Sequence, residues 1–239
     1  MNFVLDVHCH TVASGHAYST IQELTAYAAT IDYELIAMTD HGPALLGGAV
    51  EYHFSNLWVL PQSINGVEVL KGAEVNILDF DGNVDLPEEV LKRLDFVIAS
   101  FHNPCITPGS AKDQTKALLK LMEKPYIHMI GHPGNPHYPI DVKTVVKAAK
   151  ETDTILELNN SSLRPGSFRA GSQESCDRIL KECVKQGTYV ALGSDTHYAT
   201  YIGGFHYVEQ MLERQQAPEE LILNTSVEKF KSFISRKRR

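Results

Sequence analysis

The chain has 239 residues, 43% of them hydrophobic and 21% charged, which suits one sizeable core in a single domain spanning residues 1–239. Its formal net charge of −7 argues against a surface that grips long nucleic acid, because such surfaces are basic. No apolar stretch approaches the roughly 18 residues that span a bilayer, so no membrane is expected as a partner.

Asp6 and His8 interrupt the N-terminal apolar run too early for a signal peptide. The one strongly basic run, Arg236-Lys237-Arg238-Arg239, reads as a solvated end. The four cysteines, Cys9, Cys105, Cys176 and Cys183, contain no CxxC pair. Cys176 and Cys183 fall on one predicted helix, about 10 Å apart along its axis, too far for a disulfide. The chain reads as cytoplasmic and reduced. Its oligomeric state stays open, and a homo-oligomer is compatible with it.

Phe3-Val4-Leu5 opens a buried strand leading into Asp6-Val7-His8-Cys9-His10. Regular alternation puts Asp6, His8 and His10 on one face and Leu5, Val7 and Cys9 on the other. A loop carrying His16 follows, then a helix from 21 to about 30 behind the capping box Thr20-x-x-Glu23. Residues 35–39 form a second strand, ended by Asp40-His41-Gly42. The connection 43–66 carries Trp58 and Tyr52-His53-Phe54, with His53 a candidate for a pocket wall. Residues 67–77 form a third strand with Glu74, followed by a small hairpin turning at Asp81-Gly82.

From there helix and strand alternate. A helix over 87–94 precedes strand 96–101, which stops at His102, and a helix over 111–122 precedes strand 126–130, which stops at His132-Pro133-Gly134-Asn135. A helix over 141–150 precedes strand 154–158, which stops at Asn159-Asn160. A polar loop over 161–171, with Arg164 and Arg169, leads to a helix over 173–186. The last strand, 189–192, stops at Gly193-Ser194-Asp195-Thr196-His197, and Thr225-x-x-Glu228 marks a final helix cap.

Seven strands alternating with helices imply a parallel α/β sheet covered on both faces. Apart from Asn159-Asn160, every strand is ended or closely followed by a metal-ligating residue type: His8/His10, His41, Glu74, His102, His132, Asp195/His197. An open sheet would spread these ends over about 30 Å, at roughly 4.8 Å per strand. A closed barrel brings them to one mouth, where active sites sit. The fold expected is therefore a distorted, TIM-like (β/α)7 barrel with a metal site at the C-terminal ends of its strands.

Any one of these histidines alone would read as a cap or a surface residue. That reading would have to hold independently at six strand ends and again at His16, which makes it a poor joint explanation. Seven imidazoles and two carboxylates exceed what a single ion takes, since zinc accepts about four ligands, so two or three ions are expected. Asp6 and Asp40, each next to a ligand histidine, are better placed to fix its tautomer than to ligate, with direct ligation as the alternative. His128 reads as a core residue lower on its strand, and His137 and His206 as surface residues.

Taken in order, Asp6-x-His8-x-His10, Thr39-Asp40-His41-Gly42, Gly72-x-Glu74, His102, Gly131-His132-Pro133 and Gly193-Ser194-Asp195-x-His197 resemble the successive motifs of the PHP (polymerase and histidinol phosphatase) superfamily. His16-Ala17-Tyr18-Ser19, the run to Pro136 after His132, and Asn159-Asn160-Ser161-Ser162 are similar to its stand-alone, probable-phosphatase branch. The resemblance covers nearly the whole chain. It implies a distorted seven-stranded barrel and three divalent ions, usually zinc, with manganese or iron as the other candidates. His8, His10, Glu74 and Asp195 would hold one ion. Glu74 would bridge to a second held by His102 and His132, and His16, His41 and His197 would hold the third.

Three divalent ions less two carboxylates would leave about four positive charges in the mouth, which hydroxide and a phosphate dianion can offset. Zinc lowers the pKa of bound water from about 15.7 to about 7. The expected activity is thus hydrolysis of a small phosphomonoester by a metal-bound water. Arg164 and Arg169 are candidates to grip the rest of the substrate or a second phosphate, with plain exposed loop arginines as the alternative. Three other readings stay open. The same cluster could cleave a phosphodiester or nucleotide. An amidohydrolase would need a bridging carbamylated lysine, for which Lys71 is poorly placed. A non-catalytic zinc-binding module would leave nine ligands at a solvent-facing mouth, a poor closed structural site.

Overall fold

Apolar runs buried on both sides become parallel strands here, because each is joined to the next by a connection too long for a hairpin and largely helical. The computed structural model describes residues 1–237. In chain order it forms β1 (Leu5–Cys9), α1 (Ile21–Thr30), β2 (Leu35–Met38), α2 (Glu51–Ser55), β3 (Ser63–Ile64), β4 (Val67–Asn76), α3 (Glu88–Leu91), β5 (Phe96–Ser100) and α4 (Ala111–Met122). It continues with β6 (Met129–Ile130), α5 (Val142–Glu151), β7 (Ile155–Asn159), α6 (Asn160–Leu163), α7 (Ser172–Gln186), β8 (Val190–Gly193), α8 (His206–Gln215) and α9 (Val227–Arg236). Among the described residues, seven strands pair in the order β1-β2-β4-β5-β6-β7-β8, each neighbour parallel. The two-residue β3 adds an antiparallel flap to β4.

The barrel is nearly closed. Its seam, between β8 and β1, is held by side chains and loop backbone instead of a continuous ladder. At the lower end Asn224 accepts from the Leu192 amide (2.7 Å) and donates to the carbonyls of Leu5 (3.0 Å) and Leu192 (2.9 Å). Higher up, Asp6 accepts from the Ser194 amide at 3.1 Å. At the top, the His10 amide donates to Thr196 O (2.9 Å) and the Asp195 amide to His8 O (3.0 Å).

Inward-facing residues of the lower strands, among them Leu5, Val7, Leu35, Leu70, Phe96, Ile98 and Ile155, fill the barrel interior. The bottom is plugged by Leu223 and by Phe230 and Phe233 of α9, with the Phe230 and Phe96 rings 5.4 Å apart. Outward-facing residues make a second, larger core against the helices.

Local signals held where they were strongest. α1 carries the complete Thr20/Glu23 capping box, and α4 has its own at Ser110/Asp113. The final cap differs by one residue. Ser226 accepts from the Lys229 amide (3.2 Å), whereas Thr225 donates its hydroxyl to Ile222 O (3.1 Å). The C-terminal basic run is not a solvated end at Lys237. That side chain is buried, and its ammonium donates to Met122 O, Thr152 O and Thr154 Oγ1. Burial lowers its pKa to about 8, with nearby Asp153 opposing. Arg238 and Arg239 lie outside the described residues. No helix among the described residues is long and apolar enough to cross a membrane.

Candidate metal centre

Strand phase decides what reaches the mouth. Leu70, Gly72 and Glu74 share the inward face of β4, and Phe96, Ile98, Ser100 and His102 continue the inward face of β5, so each column ends in a ligand-type side chain above the apolar interior. β1 breaks this rule. Leu5 and Val7 point into the core, so a regular strand would turn His8 away. The pairing of β1 with β2 shifts register between Asp6 and Cys9, and beyond the shift His8 and His10 face the mouth.

Asp6 therefore does not share their face, and it accepts from no imidazole ring. It accepts the amides of Ser194 (3.1 Å), Gly203 (3.0 Å) and His8 (3.3 Å), fixing backbone at the seam. His132 and Asp195 arrive by another device. Both have left-handed backbones, φ 30° and 55°, a conformation that costs a non-glycine residue about 1–3 kcal/mol and clusters at functional sites. The His132 amide donates to Glu157 Oε2 at 2.5 Å, which holds the turn in place.

Glu74 lies at the centre, fully buried. Its Oε2 faces His41 Nδ1 (2.7 Å), His8 Nε2 (3.3 Å) and His10 Nε2 (3.6 Å). Its Oε1 faces His132 Nε2 (3.0 Å) and His102 Nε2 (3.5 Å). Asp195 Oδ1 lies 3.2 Å from His10 Nε2 and 3.6 Å from His8 Nε2. The His16 ring sits 4.7 Å from His197 and 5.1 Å from His41. All nine residues singled out by strand position, His8, His10, His16, His41, Glu74, His102, His132, Asp195 and His197, thus converge.

Three groups have ligand atoms close enough to share an ion: His8/His10/Glu74, His41/Glu74/His102 and His10/His41/His197. His10 and His41 belong to two groups each, so the geometry does not sort the ligands into three exclusive sets. Among the described residues, His8 Nε2, His10 Nε2, His41 Nδ1, His102 Nε2 and Glu74 Oε2 are buried without a hydrogen bond. Buried polar atoms left unpaired are costly. Five gathered on one point form the donor set a cation would satisfy.

The electrostatics agree. Burial, reinforced by the neighbouring His41 charge, pushes His10 down to about 3, and burial with Arg169 pushes His132 down to about 4. Both rings are neutral at physiological pH, the form that ligates. Burial opposes ionisation of Glu74 and Asp195, but the imidazoles around them, His8 foremost, outweigh it and hold both carboxyls well below their ordinary range.

A ring of outer partners orients the imidazoles. His8 Nδ1 lies 2.6 Å from Glu157 Oε1, and His102 Nδ1 lies 2.7 Å from Asn76 Oδ1. Asn76 in turn donates to Gly42 O (3.1 Å) and Asp85 Oδ2 (2.5 Å). Asp40 acts at one remove: it accepts from Ser14 Oγ (2.6 Å), which sits 3.2 Å from His10 Nδ1. Burial alone would raise the Asp40 pKa, but the nearby His53 imidazole and hydrogen bonds from Ser14 and Thr11 hold it at about 2. His53 Nε2 lies 3.6 Å from Asp40, behind the cluster.

Sequence reasoning missed Glu157 and Asn76. The available signal was phase: Glu157 is an inward carboxylate two residues before Asn159, and Asn76 lies two after Glu74. Gly193 makes the Glu157–His8 contact possible. A Cβ there would sit 2.0 Å from Glu157 Oε1 and 2.8 Å from His8 Cβ.

The two loop arginines separate. Arg169 is buried, donating to Asp195 Oδ2 (3.0 Å) and Ser162 Oγ (3.0 Å) at the edge of the cluster. Arg164 is exposed on the wall of the cleft above, whose volume is about 910 Å³. Lys71 points away, its Nζ 3.5 Å from Trp58 O, so it is not placed to bridge ions in the amidohydrolase manner.

Fold and site together define a β/α-barrel protein with a cluster of potential metal ligands at its C-terminal rim. The chain belongs to the PHP domain family, whose profile matches residues 6–235. A "Probable phosphatase" of Acetivibrio thermocellus is 49% identical over 238 residues, covering 100% of this chain and 98% of that protein. A "Probable phosphatase" of Clostridium novyi is 46% identical, covering 99% and 96%.

Among solved structures, histidinol phosphate phosphatase from Lactococcus lactis, complexed with zinc, L-histidinol and phosphate, superposes with a TM-score of 0.59 at 15% identity, covering 88% of this chain and 93% of that one. A chain of an archaeal ribonuclease P complex with mature tRNA gives 0.61 at 13% identity, covering 98% and 90%. At such identities the likeness is one of fold.

Proposed function

We propose that this protein is a metal-dependent phosphatase that hydrolyses a small phosphomonoester at a trinuclear centre, with zinc as the expected metal. The observation that carries this is Glu74. Each of its oxygens confronts a separate set of imidazole nitrogens, as expected of a carboxylate shared between ions. His8, His10, His16, His41, His102, His132, Asp195 and His197 are the other ligands in this reading. The names of the full-length relatives and the zinc and phosphate in the L. lactis enzyme support it.

Bound divalent ions would supply Lewis acidity and a water acidic enough to attack at neutral pH. The chain's own residues do the rest. Glu157 and Asn76 accept the Nδ1 protons of His8 and His102 and leave Nε2 of each facing the centre. The guanidinium of Arg169, anchored by Asp195, presents fixed positive charge where a phosphoryl oxygen would sit.

The test is turnover of p-nitrophenyl phosphate and of its bis ester, with and without chelator. Monoester hydrolysis that chelator abolishes and zinc or manganese restores is the expected result. A clear diester preference would transfer the site to phosphodiesterase or nucleotide chemistry. Fully metallated protein inert to both esters would point to a binding module.

A further inference from the structure

The cleft above the cluster is far larger than a phosphate needs. At about 910 Å³ it falls in the range of sites that enclose a whole small molecule. Its floor includes His41, His102, Asp195 and His197, so a phosphoryl group held there would project its leaving group up into the cleft. The wall around that leaving group is aromatic. Tyr18 and Phe168 are each 74% exposed, Tyr201 62% and Tyr198 50%, and all four line the cleft. Bare aromatic faces gathered around one opening are unusual on a soluble surface and mark a binding site. The Tyr198 and Tyr201 rings lie 6.2 Å apart, nearly edge to face. The Arg169 guanidinium stacks on Phe168 at 4.7 Å from the ring centroid.

Three carboxamide oxygens of the same wall are engaged with the protein itself. Asn135 Oδ1 accepts from the His137 amide, Asn160 Oδ1 from the amides of Tyr207 and Val208, and Asn103 Oδ1 from the Tyr138 hydroxyl. Those three carboxamide oxygens are already taken, whereas the exposed aromatic rings remain available to a flat π-system.

We propose that the leaving group of the phosphomonoester carries a planar aromatic ring, as a nucleoside does, which stacks on the Tyr18–Phe168–Tyr198–Tyr201 rim. Arg164, which makes no ion pair among the described residues, lines the same cleft and would add a cation–π contact to that ring. The proposal rests on the phosphatase reading only for the identity of the phosphate end.

The test compares adenosine 5′-monophosphate with ribose 5-phosphate, which differ by the base alone. It also measures adenosine binding to metal-stripped protein by calorimetry. The nucleotide is expected to have a kcat/KM at least about ten-fold higher, in keeping with the strength of base–aromatic stacking. A Phe168→Ala/Tyr201→Ala double variant is expected to bring that ratio close to one and to abolish saturable adenosine binding. Equal kcat/KM for the two esters, or no adenosine binding, overturns the proposal. If adenosine binds and the double variant abolishes it while neither ester is hydrolysed, the aromatic site stands and the phosphatase reading fails.

Discussion

The two ends of this barrel are built from the same strands and solve opposite problems. At the lower end Phe230 packs on Phe96, Leu5 and Leu35 are fully buried, and Asn224 satisfies the backbone of both seam strands. At the upper end the interior is imidazole and carboxylate, two residues hold left-handed backbones, and several buried nitrogens lack partners. One end supplies stability and the other spends some of it on arranging ligands. Along β5 the change comes within a few residues, between Ile98 and His102.

The sharpest way to break that contrast is to remove the central carboxylate. Even an outer partner of a metal ligand is worth about 10–100-fold in affinity or activity. Glu74→Ala is therefore expected to cost more than about 100-fold in turnover and to remove more than one equivalent of metal. Elemental analysis of the purified variant checks this, and loss of a single equivalent would mean that Glu74 does not bridge.

The converse change is Phe230→Ala in the plug. It is expected to destabilise by about 3–5 kcal/mol, read from urea unfolding, while metal content per folded molecule stays at the wild-type value. A fall in metal content would show that the two ends are coupled.

Glu157→Gln probes the support of the ligands. It keeps the shape but removes the charge that orients His8, and a drop in metal affinity of about 10–100-fold is expected. Competition with a chromophoric chelator measures it.

The smallest effect concerns the lower end again. Lys237 is held at about 8 in the fold, against an ordinary 10.5. Between these values the unfolded chain binds a proton that the native state has lost, so this group makes stability rise with pH across the window. Subtracting the unfolding profile of Lys237→Met from that of the wild type should leave that slope, and a flat difference would contradict it.

The contrast between the ends also explains what could be read in advance. His8, His10, His41, His102, His132 and His197 were legible because each stands where an apolar run stops, and strand ends in a parallel barrel have a common destination. Glu157 was harder to read, since it stands inside β7 between Leu156 and Leu158 and ends nothing, so only its phase marked it. Asp6 looked like an orienting acceptor because regular alternation puts it beside His8, and only the register shift in β1 separates them. Arg169 and Arg164 looked equivalent in one loop, yet one is buried against Asp195 and the other is exposed.

By itself, then, the sequence determined the alternation of strand and helix, and which strand ends carry ligand-type side chains. Those depend on periodicity and capping, which act over a few residues. Tertiary structure alone decided which carboxylate meets which ring, how the seam between β8 and β1 is closed, and where β1 changes phase. The physical reason is separation along the chain. The His8–Glu157 pair spans 149 residues and the Asn224–Leu5 bond 219, and no local pattern records a partner that far away.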